Sequence, residues 1–153
     1  MKTLIALLAL VATLTINAAE QPSFIERIGV DTIAIGRSPD LERMDFSAGI
    51  RLSYDLTERF AVVLEAEGAD FHGVLVDSAL AGVKFGFPGK TVTPYIIAAG
   101  VIKFPSNDEF GMAGAGLEFA LGKSWCIFAE VAGEKGIRTD TELRVTSGVG
   151  FRF

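Results

Sequence analysis

Residues 44–56 read Met-Asp-Phe-Ser-Ala-Gly-Ile-Arg-Leu-Ser-Tyr-Asp-Leu, and this stretch decides the fold class. Every even-numbered position in it is apolar, whereas the odd-numbered positions from 45 to 55 are charged, small or polar. Such period-two alternation predicts a β-strand with two chemically different faces. Globular strands typically have about five or six residues, whereas a tilted strand needs about 9–11 residues to cross a membrane. The length of this run therefore favours a membrane-spanning strand.

The same alternation recurs to the end of the chain and predicts eight strands, at about 24–35, 44–56, 60–70, 74–87, 92–104, 110–121, 125–134 and 143–153. Tight turns at 57–59, 88–91 and 122–124 alternate with connections at 36–43, 71–73, 105–109 and 135–142. Short periplasmic turns, outer loops and an even strand number are typical of bacterial outer-membrane barrels. The predicted fold is an all-β, eight-stranded antiparallel up-and-down transmembrane β-barrel.

The N-terminus has the pattern of a secretory signal peptide. Lys2 supplies a positive charge, residues 4–14 are apolar, and Asn17-Ala18-Ala19 offers a cleavage zone of small residues. The apolar run is shorter than the roughly 20 residues of a spanning helix. We therefore expect a signal peptide at 1–19, a single barrel domain at 20–153 and export to the bacterial outer membrane.

The composition limits the partners of the domain. Without Lys2 the chain carries 13 basic and 19 acidic residues, a net charge of about −6, which disfavours nucleic acid as a partner. Cys126 is the only cysteine, so no disulfide can form within the chain. We interpret Cys126 as a small structural residue that faces the lumen. One histidine and one cysteine far apart predict no metal site, and no cofactor is expected.

One face of the predicted strands is apolar and is expected to meet lipid. On strands two to four it comprises Phe46, Ala48, Ile50, Leu52, Tyr54, Phe60, Val62, Leu64, Ala66, Ala79, Ala81, Val83, Phe85 and Phe87. On strands five to eight it comprises Tyr95, Ile97, Ala99, Val101, Ala113, Ala115, Leu117, Phe119, Ile127, Ala129, Val131, Val145, Val149, Phe151 and Phe153. Asp77 and Lys103 share this face near the outer loops. A Lys or Arg facing lipid at the midplane costs about 2–4 kcal/mol, which explains the lack of mid-strand charges.

The opposite face combines glycine with charge and is expected to fill the lumen. Its glycines are Gly49, Gly82, Gly86, Gly100, Gly114, Gly116, Gly148 and Gly150. Its predicted charge network is Arg51, Glu65, Glu67, Lys84, Glu118, Glu130, Arg144 and Arg152. Charges in so narrow an interior are expected to pair with one another, and barrels enclose aqueous channels only at about 16–18 strands. A salt-bridged plug is favoured over a gated ion pathway.

Aromatic residues collect at the predicted periplasmic strand ends and predict an interfacial girdle. Its members are Phe24, Tyr54, Phe60, Phe85, Phe87, Tyr95, Phe119, Trp125, Phe151 and Phe153.

The segments 93–101 (Thr-Pro-Tyr-Ile-Ile-Ala-Ala-Gly-Val), 111–119 (Gly-Met-Ala-Gly-Ala-Gly-Leu-Glu-Phe) and 148–153 (Gly-Val-Gly-Phe-Arg-Phe) carry a family resemblance. The chain resembles the small outer-membrane β-barrel superfamily, which includes OmpA transmembrane domains, OmpX and the opacity-type surface proteins. In that family a C-terminal aromatic residue with apolar residues at alternate preceding positions is read by the barrel-assembly machinery. The resemblance implies that Val149, Phe151 and Phe153 form this assembly signal.

The expected function is that of a non-enzymatic, monomeric barrel that contributes to envelope structure or surface interaction, in contact with outer-membrane lipids and lipopolysaccharide. Arg37, Arg43, Lys135 and Arg138 in or next to the loops could meet lipopolysaccharide phosphates. Two alternatives stay open. One is a lipid A-modifying enzyme that uses His72, the only histidine, with a nearby serine such as Ser78. The other is a soluble periplasmic barrel that binds a small apolar ligand.

Overall fold

The computed structural model describes residues 27–38, 43–68, 76–104, 106–136 and 141–153. The described residues form eight β-strands: β1 (Ile28–Ser38), β2 (Asp45–Asp55), β3 (Phe60–Gly68), β4 (Ser78–Gly86), β5 (Val92–Lys103), β6 (Asp108–Ala120), β7 (Trp125–Gly136) and β8 (Thr141–Arg152). The predicted signal peptide and His72 lie outside the described residues.

Each strand pairs antiparallel with the next, and β1 pairs with β8 to close the barrel. The closing register runs from Gly29 opposite Arg152 to Ser38 opposite Leu143. Closure leaves no sheet edge with unpaired backbone groups, which is the condition for a sheet that spans a bilayer. The prediction of an eight-stranded antiparallel up-and-down barrel is confirmed.

Short turns join the strands at the end that we call the turn end. Thr57 Oγ1 accepts hydrogen bonds from the backbone N–H groups of Arg59 (3.2 Å) and Phe60 (3.0 Å), which fixes the β2–β3 turn. In the β6–β7 turn, Gly122 has a φ of 106°, a left-handed conformation that glycine adopts without steric cost. The opposite end, which we call the loop end, carries the two longest connections, between β1 and β2 and between β3 and β4.

The first strand differs from its prediction. It begins at Ile28 and continues to Ser38, whereas the alternation predicted 24–35 and assigned Gly36–Ser38 to a loop. Arg37 lies opposite Asp45 of β2 and Arg144 of β8. The added length places Arg37 inside the barrel, where buried carboxylates bind it.

The interior has an apolar half and a polar half. The apolar half is a cluster contributed by β3 to β7: Val63, Leu80, Ile97, Val101, Phe110, Met112 and Ala132, with Ala99 packed against it. A second, smaller apolar cluster of Ile33, Ile35 and Phe128 lies on β1 and β7, and buried charged residues of β1, β2, β3, β7 and β8 fill most of the rest. The sequence pattern predicted only glycine and charge in the lumen, so this apolar half is a correction.

The predicted facing of β5 is wrong. Tyr95, Ile97, Ala99 and Val101 point into the barrel, and Tyr95, Ile97 and Val101 are only 1–3% exposed. The exterior face of β5 instead carries the even-numbered residues, among them Ile96 and Gly100. The strand is apolar on both faces, so alternation alone does not show which face is inside.

The exterior is apolar around the barrel. Large exterior side chains that are 43–74% exposed include Phe46, Ile50, Leu52, Leu64, Ile96, Leu117, Val131 and Val149. Such a continuous apolar surface is exceptional on a soluble monomer, whose apolar patches are much smaller.

Candidate functional site

The lumen holds three connected layers of ion pairs, and the middle layer is centred on Arg51. Its Nε donates to Glu65 Oε2 at 2.8 Å, and its two terminal nitrogens donate to the Glu130 carboxylate at 2.9 and 3.1 Å. The hydroxyl of Tyr95 also donates to Glu130, at 3.1 Å. All four side chains are buried, so this layer satisfies charges that would be costly if they were unpaired.

The loop-end layer is organised by Arg144, whose side chain is fully buried. Its guanidinium pairs with Glu65 and lies 3.6 Å from Glu134 Oε1 and 3.8 Å from Glu67 Oε2. Arg37 then binds Glu134 through two hydrogen bonds of 3.1 and 3.2 Å and also pairs with Glu67. Glu65 therefore links the middle layer to the loop-end layer.

Lys103 completes the loop-end layer. Its Nζ donates to Glu142 at 2.7 Å, lies 3.5 Å from Glu134 and sits 4.0 Å from the centre of the Phe110 ring. The prediction that Lys103 shares the lipid-facing side is wrong, because its ammonium group turns toward the lumen carboxylates.

The turn-end layer is the most open. Arg152 pairs with Asp31 and donates to Glu118 at 3.0 Å, and Lys84 donates to the same Glu118 oxygen at 3.2 Å. These groups, except Asp31, border a cavity of about 170 Å³ that also contacts Asp55 and Tyr95. Lys84 lies 5.2 Å from the centre of the Tyr95 ring and so connects this layer to the middle one.

The structure brings together all eight residues of the predicted lumen network and adds others. Sequence reasoning missed Asp31, Arg37, Tyr95, Lys103, Glu134 and Glu142. The ion pairs among the described lumen residues join seven carboxylates and six cations. A lumen so close to neutral presents no strong field of one sign. Among the predicted lumen glycines, Gly100 lies instead on the exterior.

Those aromatic residues of the predicted girdle that the structure describes lie on the exterior near the turn end, with one exception. Phe85 packs edge-to-face on Phe60 (4.8 Å between ring centres) and on Phe87 (5.0 Å). Phe151 makes the same contact with Trp125 and with Phe153, both at 5.0 Å. Tyr54 and Phe119 are half-buried at exterior positions, and Phe24 lies outside the described residues.

Tyr95 is the exception, because its side chain is 3% exposed and faces the lumen. Its assignment to the girdle is therefore corrected. The phenol reaches Glu130 because β5 turns its odd-numbered residues inward, opposite to the predicted facing.

The remaining predicted residues have simple placements. Val149, Phe151 and Phe153 follow one another along the exterior of the C-terminal end of the chain, and the backbone N–H of Phe153 donates to the carbonyl oxygen of Ile28. Cys126 is buried with a free thiol. In the described part of the chain, no group of three or more His, Cys, Asp or Glu side chains could hold a metal ion, and no helix is long and apolar enough to span a membrane.

Comparison with solved structures places the fold among small β-barrels. The N-terminal β-barrel domain of Pseudomonas aeruginosa OprF matches at 22% identity, over 82% of this chain and 97% of that domain, with a TM-score of 0.58. Neisserial surface protein A (NspA) matches at 18% identity, over 82% and 96% of the two chains, with a TM-score of 0.53. A de novo designed transmembrane β-barrel matches at 12% identity, over 88% and 100%, with a TM-score of 0.54.

No protein-family model matches the sequence, and neither does any curated protein. The structural neighbours are small outer-membrane barrels and designed barrels of the same architecture. At these identities the likeness concerns the fold alone.

Proposed function

We propose that this chain is an integral outer-membrane β-barrel protein whose role is non-enzymatic and whose lumen is closed by its ion pairs. The observation that carries the proposal is the division of charge between the two surfaces of the barrel. Arg51, Glu130 and Arg144 are 1–3% exposed inside, while Ile50, Leu64 and Val131 are more than half exposed outside. A barrel in water would be expected to have the opposite arrangement, so lipid is the solvent that this exterior fits.

The ends of the barrel support an orientation in which the turn end faces the periplasm. The aromatic contacts around Phe85 and Phe151 lie at that end, and rings of this kind favour the membrane–water boundary. The start of β1 at Ile28 and the end of the barrel at Phe153 then lie on the periplasmic side, as is usual for outer-membrane barrels with short periplasmic turns.

The proposed role is structural or one of surface contact. The buried charged side chains among the described lumen residues all have ion-pair partners, as the double hydrogen bond of Arg51 to Glu130 illustrates. The neighbours with this fold include an outer-membrane protein domain and a surface protein, which agrees with such a role without specifying a ligand.

Cell fractionation combined with heat-modifiable gel migration tests the proposal. We expect the protein in the outer-membrane fraction, extracted only by detergent, and migrating faster before heating than after. A protein that stays soluble without detergent and shows no heat-dependent shift would support the soluble-barrel alternative instead.

The enzyme alternative has its own test. Mass spectrometry of lipid A from cells with and without the protein should give the same profile if the barrel is non-enzymatic. Loss of an acyl-chain modification in the deletion strain, together with the same loss for His72→Ala, would replace the proposal with a lipid A-modifying activity.

A further inference from the structure

A shallow apolar trough crosses the exterior of β4 to β7 near the loop end. It consists of two adjoining depressions of about 440 and 520 Å³, which share Ala81 and Gly100. The strand register aligns its floor in two rows of cross-strand neighbours. These rows are Ala81, Gly100, Gly111 and Lys135, and then Val83, Ala98, Ala113 and Gly133.

Larger side chains enclose the trough. Ile102 stands on the loop-end side, and Ile96 and Val131 stand on the turn-end side, each at least 39% exposed. Leu64 of β3, which lies opposite Ala81, closes one end. A Cβ at Gly111 would have no neighbour closer than 4.0 Å, so this part of the floor opens outward.

The trough slopes from the rim of the barrel toward its middle. Lys135 is the last residue but one of β7, whereas Leu64 lies at the centre of β3. From Leu64 to Lys135 the first row crosses four strand spacings of about 4.8 Å, a length of about 19 Å. One leaflet of the hydrocarbon core is about 15 Å thick, so a sloping path of this length fits one acyl chain from the rim to the midplane.

We propose that the trough binds one acyl chain of lipopolysaccharide, with a phosphate of the lipid A head group at Lys135. This inference rests on the proposed outer-membrane location, because the loop end then lies in the outer leaflet. An unfilled depression would forfeit dispersion contacts along its walls, and an acyl chain of matching length restores them. Lys135 is exposed at the rim, so its ammonium group complements a phosphate.

Glu109 determines at which part of the trough the lipid head group lies. It is exposed and borders the trough beside Ile102, on β6 rather than β7. Its carboxylate repels a phosphate there and favours the Lys135 end of the trough. Glu109→Gln is therefore expected to leave lipid retention equal or higher.

Native mass spectrometry of the full-length mature protein, released from detergent micelles after titration with purified diphosphoryl lipid A, tests the proposal. We expect one retained lipid on the wild type. Lys135→Gln should lower retention by about fivefold, since one lysine near a membrane surface contributes about that factor in binding. Gly111→Leu, which fills the floor, should lower retention at least as much.

Ala34→Leu is the matched control, because it enlarges an exposed residue on β1, away from the trough, and should not change retention. Heat-modifiable migration of every variant verifies that it is folded.

Dephosphorylated lipid A and phosphatidylglycerol are expected to be retained less than diphosphoryl lipid A. Equal retention of either, or unchanged retention by folded Gly111→Leu, overturns the proposal. Protein dimers that Gly111→Leu abolishes would instead assign the trough to a second copy. Failure of the outer-membrane fractionation would be a separate result, against the proposed location.

Discussion

Glu65 is the residue on which two layers of the lumen depend. Its carboxylate accepts a 2.8 Å hydrogen bond from Arg51 and pairs with Arg144, and all three side chains are at most 5% exposed. Removal of one partner of a buried ion pair leaves the other charge uncompensated, at a cost of about 3–5 kcal/mol.

We therefore expect Glu65→Gln, which keeps the shape but removes the charge, to lower the free energy of unfolding by about 3–5 kcal/mol. Urea unfolding in phospholipid vesicles, followed by the fluorescence of Trp125, measures the change. Glu58→Gln, in the exposed β2–β3 turn, is the control and should alter stability by less than about 0.5 kcal/mol. Equal stability of the two variants would show that the lumen pairs contribute little.

A substitution of Ile50 tests whether the exterior of the barrel faces lipid. Its side chain is 55% exposed in the middle of β2, and an arginine there would face the hydrocarbon core. We expect Ile50→Arg to cost about 2–4 kcal/mol in vesicles, and Leu121→Arg, in the β6–β7 turn, only about 0–1 kcal/mol. Leu121 is 56% exposed, so the two substitutions differ mainly in depth. Similar losses at both sites would contradict the assignment of this surface to lipid.

The sequence correctly predicted which charged residues face the lumen in those strands that have one clearly polar face. Arg51 and Glu65 alternate with apolar neighbours, so their facing was unambiguous. Tyr95 and Lys103 were placed outside because β5 offers apolar residues on both faces. Lys103 could have corrected this prediction. It is charged and lies on the same face of β5 as Tyr95, which indicates that this face points into the lumen.

At the scale of the strands, glycine allows close approach between neighbours on the inside of β6. A Cβ added to Gly114 would lie 2.5 Å from both the carbonyl oxygen of Val131 and the Cβ of Ala132, closer than real contacts allow. Gly111, three residues earlier on the exterior of the same strand, has open space at that position.

This contrast gives a paired prediction within one strand. Gly114→Ala should lower the free energy of unfolding by about 1–3 kcal/mol, because the backbone of β7 must shift. Gly111→Ala should be neutral or stabilising by up to about 1 kcal/mol, because alanine restricts the unfolded chain more than glycine does. Urea unfolding of both variants in vesicles measures the difference. A larger loss for Gly111→Ala would contradict the facing of β6.

Strand number, order and most boundaries could be predicted because alternation and turn residues are local signals. The extension of β1 to Ser38 could not, because its last residues follow the register of β2 and β8 rather than their own pattern. Arg37 of β1 and Glu134 of β7 form hydrogen bonds although 97 residues of sequence separate them. No local pattern encodes that contact.

At the scale of the whole molecule, the distribution of charge in the lumen is the basis of the proposed plug. The three ion-pair layers occupy a lumen that, with eight strands, is just wide enough for side chains to fill it. The lumen is nearly neutral, and its most buried layers hold Glu130, Glu134 and Arg144 at 0–1% exposure. Under the proposed plug, water and ions would have to displace paired charges in order to cross.

We therefore expect the purified wild-type protein to give no sustained porin-like current steps in planar lipid bilayers. Glu65→Ala combined with Arg144→Ala removes a paired cation and anion together, which costs less stability than the removal of either one alone. That double variant widens the passage between the middle and loop-end layers while the Arg51–Glu130 pair remains, so small current steps should appear. Glu58→Ala in the turn is the control and should resemble the wild type. Sustained wild-type currents as large as those of the double variant would show that the ion pairs do not close the lumen, and the proposed plug would have to be replaced by a conducting path through the paired charges.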